Sequence, residues 1–126
     1  MEPYKLKVYL ADDSETVRKC MIRLLKTFNR VNKIKAAADG RELLRLVNAE
    51  TPDVVILDVQ MPILNGVETA QLLHSRFPEV KVLMLSMHQE AVIRNQLSSE
   101  TIHGFLCKSD PPDQLEHALY SVVSTA

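Results

Sequence analysis

Only two cysteines occur in the 126 residues, and Cys20 and Cys107 are too far apart for a CxxC pair. They read as small buried apolar thiols in a reducing compartment, not as a disulfide framework. The four histidines show no paired spacing, which argues against a transition-metal site. Neither GxGxxG nor GKS/T occurs, and the acidic segment Asp12-Asp13-Ser14 repels a phosphate instead of cradling it, against a nucleotide- or flavin-binding domain. No apolar run approaches the roughly 20 residues that span a bilayer. Met1-Glu2-Pro3-Tyr4 lacks the basic start and apolar stretch of a signal peptide. An excess of one charge is missing too. With 15 basic and 16 acidic side chains the net charge is -1, which argues against a dominant nucleic-acid surface.

What remains is an ordinary globular mix, 46% hydrophobic and 25% charged, of a length that suits one domain spanning residues 1–126. No repeat, low-complexity tract or linker interrupts it. Strands are expected near 6–11, 33–38, 54–58, 81–86 and 103–107, and helices near 15–28, 40–49, 66–76, 90–99 and 112–124. The third and fourth strands are apolar almost throughout, as when helices cover both sheet faces. Five such βα units predict a doubly wound α/β fold with right-handed crossovers, and strand order 2-1-3-4-5, one of the two common for it, is the one considered. Ser14 suits the first helix's N-cap, and Asp39-Gly40-Arg41-Glu42 is close to a capping box. Val17, Cys20, Met21, Leu24, Leu25 and Phe28 form the first helix's apolar stripe. Ile22 falls outside it, among Arg18, Lys19, Arg23 and Lys26. It reads either as a single exposed apolar side chain or as a docking spot for a partner helix, such as a kinase's.

Four apolar runs each end on a polar group. Lys7-Val8-Tyr9-Leu10-Ala11 ends on Asp12 and Asp13, Val54-Val55-Ile56-Leu57 on Asp58, Val82-Leu83-Met84-Leu85 on Ser86, and Gly104-Phe105-Leu106-Cys107 on Lys108. In an open parallel sheet these ends share one edge, where such folds place their sites. Singly, each group has an ordinary explanation: a solvated cap, a turn serine, a surface lysine. Together they are specific. Three carboxylates crowded at a switch point repel one another, and a hard divalent cation or a fixed ammonium compensates. That set suits phosphoryl transfer, with a carboxylate attacking phosphorus to form an aspartyl phosphate.

On Ala11-Asp12-Asp13, Leu57-Asp58-Val59-Gln60-Met61-Pro62, Asn65-Gly66, Leu85-Ser86 and Lys108, the chain resembles the receiver domain of bacterial two-component response regulators over residues 5–124. The resemblance implies a flavodoxin-like fold: five parallel strands flanked by five helices. It implies Asp58 as phosphoacceptor, and Mg²⁺ (or Mn²⁺) held by Asp13, Asp58 and the Gln60 carbonyl, with Asp12 acting through metal-bound water. It implies Lys108 as the phosphoryl's partner, Ser86 as switch hydroxyl and Phe105 as switch aromatic. Gln60 and His88, each two positions beyond a site residue, are expected to tune phosphoryl lifetime; for His88 a solvated loop histidine is the alternative. The segments around Ser86 and Lys108 look most like receivers that precede LuxR-type helix-turn-helix domains. Implied partners are a sensor histidine kinase or phosphotransfer protein, and a second copy through helix 4, strand 5 and helix 5 or through helices 1 and 5. DNA is reached only through an output domain that this sequence does not include. A cytoplasmic location is expected, with no membrane partner. Ser109 and Thr101-Ile102 depart from the commonest pattern, leaving the Lys108-Ser109 bond geometry and the fourth helix's end open.

The main reading is thus a phosphorylation-switched module, not an enzyme beyond self-catalysed phosphotransfer and slow autodephosphorylation. A stand-alone receiver acting by protein contact is the alternative to the regulatory part of a transcription regulator. An aspartate-nucleophile phosphatase is disfavoured, because such an enzyme wants a general acid where Gln60 stands.

Overall fold

A computed structural model of the chain describes residues 5–86, 101–108 and 110–124. Element labels count described elements only. They are β1 (Leu6–Ala11), α1 (Glu15–Leu25), β2 (Val31–Ala37), α2 (Gly40–Ala49), β3 (Val54–Asp58), α3 (Gly66–Arg76), β4 (Lys81–Ser86), β5 (Gly104–Cys107) and α4 (Pro112–Ser124). The helix expected near 90–99, His88 and the Lys108–Ser109 bond lie outside the described residues.

The five strands form one parallel sheet in the order β2-β1-β3-β4-β5. Every residue of β3 is buried, as its unbroken apolar run requires. The sheet separates two cores. Tyr9, Leu57 and Met84 face one side with Leu43 of α2 and Leu73 of α3. Leu10, Ile56 and Leu83 face the other with Leu25 of α1 and Leu119 of α4. This alternation along each strand is the period of two that a pleated sheet imposes.

Caps set the helix starts. The Ser14 side chain accepts from Val17 N, and Asp39 from Glu42 N. The full capping box is at α3, where Asn65 accepts from Glu68 N and Glu68 reaches back to Asn65 N. Helix α1 stops at Leu25, short of the expected 28. Thr27 N and Phe28 N bond to carbonyls three residues back, and the Thr27 hydroxyl takes Leu24 O at 2.7 Å, so the last turn tightens and ends. Strand β2 begins at Val31, earlier than expected, because Leu6 N bonds to Arg30 O and brings Leu6 beside Val31.

Two side chains depart from expectation. Cys20 is exposed, not buried, since it sits at the margin of the α1 stripe; Cys107 is half-buried. Ile22 is half-buried and packs against the second core together with Val31 and Ile34 of β2. Its partial burial departs from the exposed side chain that is one of the two readings of Ile22.

His103 joins β4 to the strand that follows. Val82 N donates to its Nδ1 at 3.0 Å, while His103 N donates to Val82 O at 2.9 Å. Burial, then the nearby Lys81 and His74, hold its pKa below the ordinary 6.5. Below pH 6.5 the unfolded chain therefore binds this proton more readily than the folded one. Stability is full above that pH and falls as acid is added, by at most about 1.4 kcal/mol per pH unit. Urea midpoints of His103→Gln are expected to lose this component between pH 7 and 5. An unchanged pH slope would refute the role.

Candidate functional site

The chain leaves β1 in one direction to reach β2 and returns across it to reach β3, so the switch point lies between β1 and β3. Asp12 follows the last residue of β1, and Asp58 is the last residue of β3. The chain places both at this point. Asp12 and Asp58 are buried and Asp13 is exposed, and one carboxylate oxygen from each falls within 4.8 Å of the others. Lys108 arrives from the end of β5. Its Nζ lies 2.9 Å from Asp12 Oδ2 and 3.1 Å from Asp58 Oδ1. Ser86 ends β4 and is buried, and its carbonyl accepts from Lys108 N at 3.0 Å. The four expected strand ends thus meet.

Local bonds hold these groups in place. Asp12 Oδ1 accepts from Ser14 N at 2.9 Å, which directs the other oxygen inward. Arg18, one turn into α1, donates from a guanidinium nitrogen to the Asp12 carbonyl at 2.8 Å. Sequence reasoning counted Arg18 only as a surface cation. The loop after β3 is short and closed: Val59 N bonds to Leu85 O, and Gly66 N to Val59 O at 2.9 Å. Gly66 has to be glycine, because a Cβ there would overlap the Asp58 carbonyl oxygen and come within 2.8 Å of Val59 Cα. Gln60 N approaches Asp58 Oδ1 at 3.4 Å, a weak contact, and its side chain is exposed. Phe105 is half-buried against the core on the α2 and α3 side, three residues before Lys108.

The charges do not balance without help. Burial raises the Asp58 pKa and Asp12 raises it further; these outweigh the Lys108 hydrogen bond and charge and the Gln60 N–H. For Lys108 burial works downward, but the hydrogen bonds to Asp12 and Asp58 prevail and its pKa rises. One ammonium serves two buried carboxylates. Asp12 Oδ2 is fully buried, and the ammonium it meets at 2.9 Å is shared with Asp58. Oxygen donors with surplus negative charge fit a hard divalent cation. Beside them opens a cavity of about 470 Å³ lined by Asp13, Gln60, Met61, Pro62, Asn65 and Val67. Among the described residues no helix is long and apolar enough to cross a membrane.

One further feature was not legible from residue types. Ile63 in the loop after β3 has a positive φ of 69° and is 73% exposed. A non-glycine residue in such a conformation costs about 1–3 kcal/mol.

The profile of the response regulator receiver domain matches residues 8–120. The chain is 32% identical over 119 residues to the transcriptional regulatory protein LnrK of Bacillus subtilis, covering 94% of this chain and 54% of that protein. It is 31% identical to the transcriptional regulatory protein DegU of Brevibacillus brevis, over 91% of this chain and 49% of that one. The chain therefore spans about half the length of the curated relatives it matches. The structure of the signal receiver domain of NarL from Mycobacterium tuberculosis superposes with a TM-score of 0.89 and 31% identity, covering 98% of this chain and all of that one. A LuxR-family two-component response regulator from Aurantimonas sp. SI85-9A1 gives 0.88 and 26%, over 95% and 86% of the two chains. With five parallel strands in the receiver order and an acidic cluster at their ends, this chain belongs to the receiver domains of two-component response regulators and is related to the LuxR-type ones.

Proposed function

We propose that Asp58 accepts a phosphoryl group and that the resulting charge switches a surface of the domain. The observation that carries this is Lys108 Nζ, 2.9 and 3.1 Å from the carboxylates of Asp12 and Asp58 at the strand ends. An oxygen of Asp58 attacks phosphorus, and an O–P bond forms as the donor's P–N bond breaks, with the electron pair and a proton going to the departing imidazole. Lys108 turns from Asp58 to a phosphoryl oxygen, and Ser86 offers its hydroxyl to another. Asp12, Asp13, Asp58 and the Gln60 carbonyl would hold Mg²⁺ or Mn²⁺, which when bound neutralises charge on the phosphoryl oxygens. Arg18 and Ser14 N keep Asp12 oriented throughout. The Gln60 amide is too weak an acid to protonate a leaving group, so phosphate is retained and the domain signals instead of acting as an efficient phosphatase.

Phosphorylation adds close to two negative charges, enough to bias a two-state element. In this reading Ser86 moves toward the phosphoryl group and Phe105 turns inward. The surface made by a fifth helix near 90–99, β5 and α4 then changes its partner preference. The phosphoryl donor is a sensor histidine kinase or phosphotransfer protein in the cytoplasm. A second copy docks through that surface or through α1 and α4, and DNA is reached through an output domain.

Incubation with acetyl phosphate and MgCl₂ tests the proposal. One phosphoryl group is expected by intact mass, and borohydride reduction should map it to Asp58. EDTA should prevent it. Incorporation at another residue, or labelling indifferent to EDTA, would refute the assignment.

A further inference from the structure

The loop between β3 and α3 carries a cost that the fold does not explain. Leu64 N donates to Pro62 O at 2.7 Å, an i to i+2 bond around Ile63, whose φ is 69°. That is the positive-φ γ-turn, a rare and strained form. A β-branched residue is especially poorly suited to it. Gly would make the same turn with less strain. The strain cannot relax into the loop, because Gly66 N bonds back to Val59 O and the Asn65–Glu68 box fixes the start of α3.

The side chain returns nothing to the interior. Ile63 is 73% exposed, the one exposed large hydrophobic among the described residues, while Met61 two positions before it is buried. Backbone strain and apolar exposure fall on one side chain, adjoining Pro62 on the wall of the cavity that opens beside Asp13 and Gln60. Pro62 is exposed as well, so the two project as a rigid apolar knob at the mouth of the site.

We infer that Ile63 is an apolar anchor for the protein that brings a phosphoryl group to Asp58. This rests on the phosphoacceptor reading and adds to it the means of recognising the donor. A protein donor has to cover this mouth to bring its phosphoimidazole to Asp58, and its surface then meets the Pro62–Ile63 knob. The occupant is accordingly a shallow apolar recess beside the donor histidine. A knob held in one conformation before contact loses little freedom on docking, and a well-packed apolar side chain at the centre of an interface carries a large share of its affinity. A small donor such as acetyl phosphate enters the cavity without touching it.

Ile63→Asn and Ile63→Gly separate the two ideas. The Gly variant is expected to melt no lower than the unsubstituted chain, since relief of the strain offsets the entropy that glycine loses on folding. Both should label with acetyl phosphate at the unsubstituted rate. The protein probe is whichever autophosphorylated histidine kinase of the source organism transfers fastest to the unsubstituted chain. From it, transfer at subsaturating receiver should fall about tenfold or more in both variants and be largely kept in Ile63→Met. Unchanged kinase transfer in the Asn and Gly variants would overturn the anchor, as would an equal loss with acetyl phosphate, which would make Ile63 part of the site's own geometry. No transfer from any kinase, with acetyl phosphate labelling intact, would also overturn it. Failure of the unsubstituted chain to label with acetyl phosphate would instead refute the phosphoacceptor reading.

Discussion

Asp58→Asn is expected to take up no phosphoryl group from acetyl phosphate, about a hundredfold or more below the unsubstituted chain, yet to fold natively and resist urea better without Mg²⁺. The loss follows from nucleophilicity: an amide oxygen in the same place has no charge to bring to phosphorus. The gain follows from the crowding of charge. Asp58 is buried beside Asp12, and burial together with that neighbour raises its pKa despite Lys108. Its ionised form is therefore penalised in the folded chain at neutral pH. Asn removes one of two buried carboxylates and leaves Lys108 with Asp12 at 2.9 Å. A stabilisation of about 1 kcal/mol is of the size that relief of one like-charge pair gives. Urea titrations in EDTA, paired with intact mass after acetyl phosphate, check both halves. Persistent labelling would move the acceptor elsewhere, and a lower urea midpoint would mean that Asp58 is better compensated than its surroundings indicate.

Lys108→Met works in the other direction. The side chain keeps most of its length and loses its charge, so Asp12 and Asp58 face each other without a cation. Removing one member of a buried ionic group costs about 3–5 kcal/mol. Here the side chain of Lys108 is 20% exposed, against 3% for Asp12 and 7% for Asp58, and solvent screens part of the effect. A loss of about 2–4 kcal/mol is expected in metal-free buffer. Saturating MgCl₂ should restore much of it, because a divalent cation binds the folded site and not the unfolded chain. The variant should accordingly be stabilised more by Mg²⁺ than the unsubstituted chain, while labelling more slowly with acetyl phosphate. The contrast is diagnostic: a merely structural lysine would show a loss that Mg²⁺ leaves untouched, and that result would separate Lys108 from the site's charge balance.

Much of this was readable in the residues. An apolar run that stops on a carboxylate, a serine or a lysine reports both a strand and what its end displays. Five βα units imply the doubly wound sheet, the observed strand order is one of its two common ones, and Asp12, Asp58, Ser86 and Lys108 come to one edge. Ser14 and Asp39 announced their caps because short polar side chains before an apolar stripe have few other uses. What escaped was decided by tertiary contact or by backbone shape. Ile22 packs partly against the second core, which a helical projection of α1 alone does not reveal. The end of α1 depends on the Thr27 hydroxyl competing for Leu24 O. Arg18 reaches the Asp12 carbonyl only because α1 starts directly over the end of β1, though a cation one turn into that helix was a usable hint. The strain at Ile63 lies in a dihedral angle, and Ile is among the last residues whose identity would suggest a positive φ.

The ammonium of the site comes from the strand added last, at the sheet edge farthest from β2. A ribosome releases this chain from its amino end, and β1 to β4 emerge before Lys108 does. A nascent four-stranded sheet would already gather Asp12, Asp58 and Ser86, yet lack the charge that makes their burial tolerable. Its acidic end stays unsettled until β5 docks. A chain ending before residue 108 would lack that cation and leave Asp12 and Asp58 to share the sheet end as two uncompensated charges.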